Sequence, residues 1–273
     1  MRPPPFETIA SRSNPGYRRL LEARRRGRAD GLLLLEGRRL IEEALQAGLE
    51  LVEVAASAEL ASAGAGAALL ARLSQAGARV RLLSDALLAT LSELETPPGL
   101  LALARPPVFQ PAPPVDAAPL LLVAVGVQNP GNLGGLLRTA EAAGATGAWL
   151  TRGCADPLGW KSLRGAMGSA FRLAQRRGVA VAGLADELRR AGLRSVAADA
   201  RASRRHDEID LRGPVAILLG SEGQGLPPAL LEAVEVRVRI PLRPPVESLN
   251  VGVAAGVLFF EAARQRGFRG MLQ

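Results

Sequence analysis

The chain has 273 residues, 48% of them hydrophobic and 22% charged, enough for two ordinary domains with real cores. Its formal charge of +8 suits a phosphate-rich partner, whereas one cysteine (Cys154) and one histidine (His206) exclude an internal disulfide and a Cys/His metal cluster. Aromatic residues at 3% leave no rows of rings for base stacking, and apolar runs such as 32–35 and 119–127 are too short to span a bilayer, so a cytoplasmic protein without a membrane partner is expected.

In chain order, residues 14–21 and 38–47 read as helices, the second because Leu40, Ile41, Ala44 and Leu45 recur at helical spacing before Gly48. Strands are expected at 31–35, 51–55, 79–83 and 100–104, with helices at 67–75 and 85–92, which makes a small α/β sandwich over residues 1–105. The stretch RPPVFQPAPPVDAAP follows, and its prolines mark a stiff connector over 106–118. Beyond it, over 119–273, strands are expected at 120–127, 148–151, 178–182, 194–198, 215–219 and 235–240. Helices are expected at 133–143, around 163–167, and at 185–191, 227–231 and 249–265. Strand–helix repetition with continuously apolar strands implies a mainly parallel sheet covered on both faces. The fold class is therefore α/β in both domains.

Three segments of the second domain end a strand in glycine or proline and then start a helix, the edge where open α/β sheets bind ligands. In the first, NPGNLGGLLRTA, Asn132 is placed to cap the next helix and Arg138 follows two turns in. In the second, LLGSEGQGL, the glycines admit a ligand close to the backbone, and Ser221 and Glu222 are the early polar side chains. It has neither the Walker A nor the dinucleotide-binding pattern. In the third, IPLRPPVESLNV, one of Ser248 and Asn250 caps the last helix while the other reaches a ligand. Taken singly, each segment is also an ordinary strand–turn–helix connection.

Arginines 12, 18, 19, 24, 25 and 26 form a dense cluster near the N-terminus. Such a run is either a solvated face or a phosphate-binding one. Lys161 is the only lysine; the excess of arginine suits phosphate recognition, and coding bias accounts for it equally well. Cys154 reads as a small hydrophobe near a strand end.

In this order the three motifs closely resemble those of the SpoU/TrmH RNA 2′-O-ribose methyltransferases of the SPOUT superfamily, over residues 120–267. SRSNPGYRRLLEARRR and LLLLEGRRLIEEAL resemble, more weakly, that family's L30e-like substrate-binding domain. The resemblance implies a trefoil-knotted catalytic domain, a homodimer, and S-adenosylmethionine as methyl donor without a metal. By position it implies main-chain donor contacts from Gly220, Ile240 and Leu249, with Leu219, Ser221, Glu222 and Pro241 around them. It also implies Arg138 as the main catalytic residue, supported by Asn132, Glu222, Ser248 and Asn250. Because arginine stays protonated at neutral pH, Arg138 is better suited to positioning the nucleophile and stabilising alkoxide charge than to removing a proton. The expected substrate is large-subunit rRNA, with tRNA as the alternative, gripped by Arg12, Arg18, Arg19, Arg24 and Arg25.

Two positions depart from the family pattern: Asn129 stands where many relatives have Asp, and Ala166 where they often carry Ser. Nearby Arg164 is either an RNA contact or a surface ion-pair partner. A non-catalytic RNA-binding protein on the same fold and an enzyme acting on a free nucleotide are the competing readings. S-adenosylmethionine binding and a preference for RNA over nucleosides separate them.

Overall fold

The computed structural model describes residues 6–92, 94–109 and 118–271. Contacts divide the chain into two units, Met1–Val108 with Leu158–Leu163, and Phe109–Pro157 with Arg164–Gln273. Most of the proline-rich connector expected at 106–118 lies outside the described residues.

The first unit runs β1 (Glu7–Ile9), α1 (Pro15–Arg26), β2 (Arg28–Ala29), β3 (Leu32–Glu36), α2 (Arg38–Gln46), β4 (Leu51–Ser57), α3 (Ala58–Ser62), α4 (Gly64–Gln75), β5 (Arg79–Leu83), α5 (Asp85–Leu91) and β6 (Leu100–Ala104). Its sheet has the order β1-β5-β4-β6-β3-β2, with β1, β5 and β4 parallel and the other pairs antiparallel. Alternate residues of a strand face opposite ways. Leu32, Leu34, Leu101 and Leu103 meet Tyr17, Leu20 and Ala23 of α1 and Leu87, Leu88 and Leu91 of α5. The interleaved Leu33, Leu35 and Ala102 are equally buried, and α2 packs against β3 and β6.

The helix α1 begins where Asn14 accepts from the Gly16 amide ahead of Pro15, and it runs five residues beyond the expected end. Its last turn carries Arg24, Arg25 and Arg26, cations that the carboxyl end of a helix dipole favours. Glu53 of β4 is 3% exposed. It is neutralised by Arg81 and, at 3.8 Å, by Arg19.

The second unit runs β7 (Leu120–Ala124), α6 (Pro130–Ala142), β8 (Gly147–Thr151), α7 (Trp160–Ala166, of which the residues up to Leu163 group with the first unit), α8 (Ser169–Arg172), β9 (Gln175–Val179), α9 (Leu184–Arg190), β10 (Arg194–Ala198), β11 (Arg204–Arg205), β12 (Val215–Leu219), α10 (Pro228–Ala233), β13 (Val236–Arg239) and α11 (Val251–Gln265). All seven strands are parallel, in the order β11-β13-β10-β12-β7-β8-β9. Leu121, Val123, Ala197, Ala216 and Leu218 pack under Leu184 and Leu188 of α9 and Leu230 of α10. On the sheet's other contacts, α6 meets β7, α11 meets β12, and α6 and α11 lie against each other. The five strands β7, β8, β10, β12 and β13 match expected ones to within a few residues at their ends.

The strand expected at 178–182 forms instead at Gln175–Val179. β9 is an edge strand with exposed Arg176 and Arg177, a charged pattern that protects an open edge and hides the strand from an apolar scan. α11 starts at Val251, two residues later than expected, because Asn250 caps it.

At the far end of α11, Gln265 and Arg266 fasten the turn before β12. Gln265 accepts from the Leu211 amide at 2.8 Å and donates to the Ile209 carbonyl at 3.0 Å. Arg266 donates to the carbonyls of Leu211 at 2.9 Å, Gly213 at 2.6 Å, and Ala118. Replacing Arg266 by Ala strands these carbonyls and is expected to cost about 2–3 kcal/mol, since hydrogen bonds to charged groups are the stronger ones. Thermal unfolding checks this; an unchanged melting temperature would show that the fastening is incidental.

A candidate active site at the strand rim

Because every strand of the second unit points the same way, the loops after β7, β12 and β13 leave from one rim. The Val125 amide donates to the Leu219 carbonyl at 2.8 Å and ties the ends of β7 and β12 together. The chain leaving β13 must pass the ends of β10 and β12 to reach α11, which lies against α6. The third loop is therefore drawn over the first two.

In the first loop the cap of α6 is Asn129, not Asn132. The Asn129 Oδ1 accepts from the amides of Gly131 at 2.9 Å and Asn132 at 3.1 Å, with Pro130 at the first helical position. The expected capping role of Asn132 is thus corrected: proline at the first helical position puts the cap one residue earlier. A carboxylate at position 129 would accept the same two bonds, so the Asp-to-Asn departure preserves the turn. Asn132 sits in the first turn, free to face the other loops. Thr151 supports this loop from β8 by accepting from the Gly126 amide at 3.0 Å.

The second loop is a tight fold. The Gly225 amide donates to the Ser221 carbonyl at 2.8 Å, and Gly225 has φ +64°. A Cβ on Gly220 would stand 2.2 Å from the Gly225 carbonyl, so only glycine fits there. Glu222 projects from this turn and is exposed.

In the third loop Asn250 does two things. Its Oδ1 caps α11, accepting from the amides of Gly252 at 2.9 Å and Val253 at 3.4 Å. Its Nδ2 donates to Glu222 Oε1 at 2.6 Å and to Asn132 Oδ1 at 3.3 Å. One side chain thus joins all three motif loops. Of the two candidate caps, Asn250 is the cap and Ser248 is exposed.

Gly220, Ile240 and Leu249 are each half-buried. Their main-chain N–H and C=O groups make no hydrogen bond to any described residue. Half-buried backbone groups without internal partners suit a polar ligand held by main-chain atoms. Leu219, Ser221 and Pro241 adjoin them in sequence, and no charged side chain lies among these six. A neighbouring cleft of about 730 Å³, bounded by the loop after β10 and by Gln224, Gly225 and Leu226, lies outside the expected residues. Arg239 fastens its wall through the carbonyls of Ala202, at 2.6 Å, and Ser203. Its only signal in the sequence is that it follows another strand's carboxyl end.

Arg138 is exposed on α6 and pairs with no carboxylate among the described residues. One turn on, Glu141 receives both Arg172 Nε at 2.8 Å and Arg172 Nη2 at 2.9 Å. Partial burial pushes the Glu141 carboxyl up, but hydrogen bonds from Arg172 and Ser169 outweigh it and leave the pKa below the ordinary value. Arg164 is exposed on α7, and the neighbouring Gly165 lies against the Gly131 carbonyl and the Gly134 Cα of α6. Ala166 is fully buried, so a hydroxyl there would face the protein interior rather than an RNA.

Of the arginines expected to hold RNA, Arg12, Arg18 and Arg25 are exposed on the first unit. Arg24 is half-buried, and Arg19 is engaged with Asp30 at 3.1 Å. Among the described residues no group of three or more His, Cys, Asp or Glu side chains could hold a metal ion. No described helix is long and apolar enough to cross a membrane.

Comparison with known proteins gives a match of residues 119–260 to the SpoU rRNA Methylase family, and of residues 17–102 to the MRM3-like substrate binding domain. The chain belongs to the SpoU rRNA methylase family. A Synechocystis protein named as an uncharacterized tRNA/rRNA methyltransferase is 37% identical to this SpoU family member, over 95% of this chain and 94% of its own. The Bacillus subtilis 23S rRNA (guanosine(2553)-2′-O)-methyltransferase RlmP is 32% identical over 83% of this chain and 86% of its own. A solved RNA 2′-O ribose methyltransferase superposes with a TM-score of 0.78 at 36% identity, covering 95% of this chain and 99% of the other. The AdoMet-bound rRNA methyltransferase from Sinorhizobium meliloti gives a TM-score of 0.80 at 26% identity, over 95% and 98%.

Proposed function

We propose that this SpoU family member transfers the methyl group of S-adenosylmethionine to a ribose 2′-hydroxyl of large-subunit rRNA, working as a homodimer. The observation that carries the reading is Asn250, whose amide joins Glu222 and Asn132 and so gathers three motifs at one place. Gly220, Ile240 and Leu249 hold the donor through their unpaired main-chain groups, with Leu219, Ser221 and Pro241 alongside. When bound, the donor supplies a sulfonium methyl that is electrophilic without a metal. Arg138 orients the nucleophile and stabilises charge developing on its oxygen. Ser248, exposed at the mouth of the third loop, is the remaining polar contact. The path of the third loop across the rim supports the threaded chain course that the family implies.

Arg12, Arg18 and Arg25 present cations to the phosphates of a folded RNA, and half-buried Arg19 and Arg24 add to the local positive charge. Large-subunit rRNA is favoured because relatives that share the catalytic unit are named as 23S rRNA methyltransferases. Mapping ribose methylation with and without the gene tests this. Loss of one large-subunit position is expected; loss of a tRNA position instead would overturn the substrate.

The dimer rests on α11, where Val253 is 54% and Phe260 44% exposed, with half-buried Val257 between them at helical spacing. Phe260→Glu places a carboxylate in that stripe and is expected to give a monomer by light scattering, with turnover reduced. A wild-type protein that is monomeric at micromolar concentration would remove the dimer from the reading.

A further inference from the structure

The short helix α7 turns one face inward and another to solvent. Ser162, Leu163 and Ala166 are buried, while Lys161 and Arg164, three positions apart, are exposed on the other face. Lys161 has no hydrogen bond or ion pair to any described residue. The start of the helix is anchored within the first unit, where Trp160 Nε1 donates to Glu36 Oε2 at 3.1 Å. The other Glu36 oxygen accepts from the Ser92 hydroxyl, which in turn accepts from the Leu94 amide at 3.0 Å. Glu36 is 7% exposed, and no cation pairs with it among the described residues. A buried carboxylate in that setting depends on its hydrogen-bond donors, so Trp160 is held fast.

The last turn of α7 is fixed as firmly. A Cβ on Gly165 would stand 2.9 Å from the Gly131 carbonyl and 3.3 Å from the Gly134 Cα, so this turn lies directly on the start of α6, the helix that carries Asn132 and Arg138. Two exposed cations therefore sit on a segment anchored at both ends. A segment so fixed loses little freedom when its side chains meet an anion. A ribose brought to α6 carries its own flanking phosphates with it, whatever its base.

Resting on the ribose methyltransferase reading, we propose that Lys161 and Arg164 grip the phosphates of the RNA strand that carries the target ribose, and that Trp160, through Glu36, positions them. Lys161 supplies a compact point charge on a flexible stem, and Arg164 a planar fork that spans two phosphate oxygens. Neither reads a base edge, so the grip sets where the strand lies and leaves the choice of sequence to other contacts.

Binding of an in vitro transcript of large-subunit rRNA, followed against salt concentration, tests this. Lys161→Ala is expected to weaken binding by about five- to tenfold and to lower the slope of log affinity against log salt by about 0.7–0.9, the share of one phosphate contact. Its melting temperature should not change, and Lys161→Arg should restore the slope. Trp160→Phe keeps both cations but removes the donor to Glu36. It should leave the slope intact and weaken binding by about threefold, because the cations are no longer held in place. A purely structural Trp160 would lower the melting temperature and leave the affinity of the folded protein as it was. Lys161 is the only lysine, so amine acylation reads this one side chain, and the transcript should protect it. Unchanged affinity and slope in Lys161→Ala, or acylation of Lys161 at the same rate under saturating RNA, would overturn the grip. Wild-type affinity in Trp160→Phe would overturn the positioning. These measurements read binding alone. A wild-type protein that transfers no methyl to any RNA would instead fail the methyltransferase reading, so the two failures are distinguishable.

Discussion

Asn250→Asp is expected to lose methyl transfer by about 10²-fold or more, the scale on which small misplacements act, while the protein remains folded. Aspartate caps helices as well as asparagine does, so the amides of Gly252 and Val253 keep their acceptor and α11 keeps its start. What disappears is the donor. A second carboxylate would face Glu222 where Nδ2 now stands 2.6 Å from it, and like charges at that distance drive the two loops apart. Asn132 loses its partner in the same step. The melting temperature should stay within a few degrees of wild type while single-turnover rates collapse. Equal losses of stability and rate would reduce Asn250 to a helix cap, and a fully active Asp variant would show that the bridge between loops has no part in the chemistry.

The second large effect concerns Arg138. Its alanine variant should lose about 10²–10³-fold in single-turnover rate, the loss typical of removing one group that stabilises transition-state charge. S-adenosylmethionine affinity should be unchanged, because the main-chain groups of Gly220, Ile240 and Leu249 are untouched. Arg138→Lys should recover little, since the ammonium keeps the charge but lacks the planar fork. A lysine variant with near-normal turnover would exclude a role that depends on guanidinium geometry. Solvent exposure of Arg138 and its lack of a carboxylate partner among the described residues make a structural explanation of such losses unattractive.

Much of this architecture was legible from residue order because the central strands are buried on both faces. Runs such as Leu120-Leu121-Leu122-Val123 and Val215-Ala216-Ile217-Leu218 have no other way to hide their side chains than inside a covered parallel sheet. β9 was misplaced because its register at the sheet edge exposes Arg176 and Arg177, so the apolar residues just after it gave the stronger signal. The short β1, β2 and β11 have only two or three residues each, below the length at which alternation can be read.

The motif residues Asn132, Glu222 and Asn250 were recognisable as types in the right order. Their contacts were not. Asn132 and Asn250 lie 118 positions apart, and they meet only because β13 sits two places from β12 and its exit loop must return across the rim. The choice between Asn129 and Asn132 as cap was readable in principle, from Pro130, but NPGN offers two asparagines and the second drew the assignment. The burial of Ala166 and the engagement of Arg19 with Asp30 depend on tertiary packing, which local spacing does not encode.

The most direct measurement is transfer of labelled methyl from S-adenosylmethionine to unmodified large-subunit rRNA, followed by digestion to nucleosides. The label is predicted in a single 2′-O-methylated nucleoside, with none in free nucleosides offered in place of RNA. Label on a base, or no label on any RNA despite a folded protein, would contradict the assignment of this rim to ribose methylation.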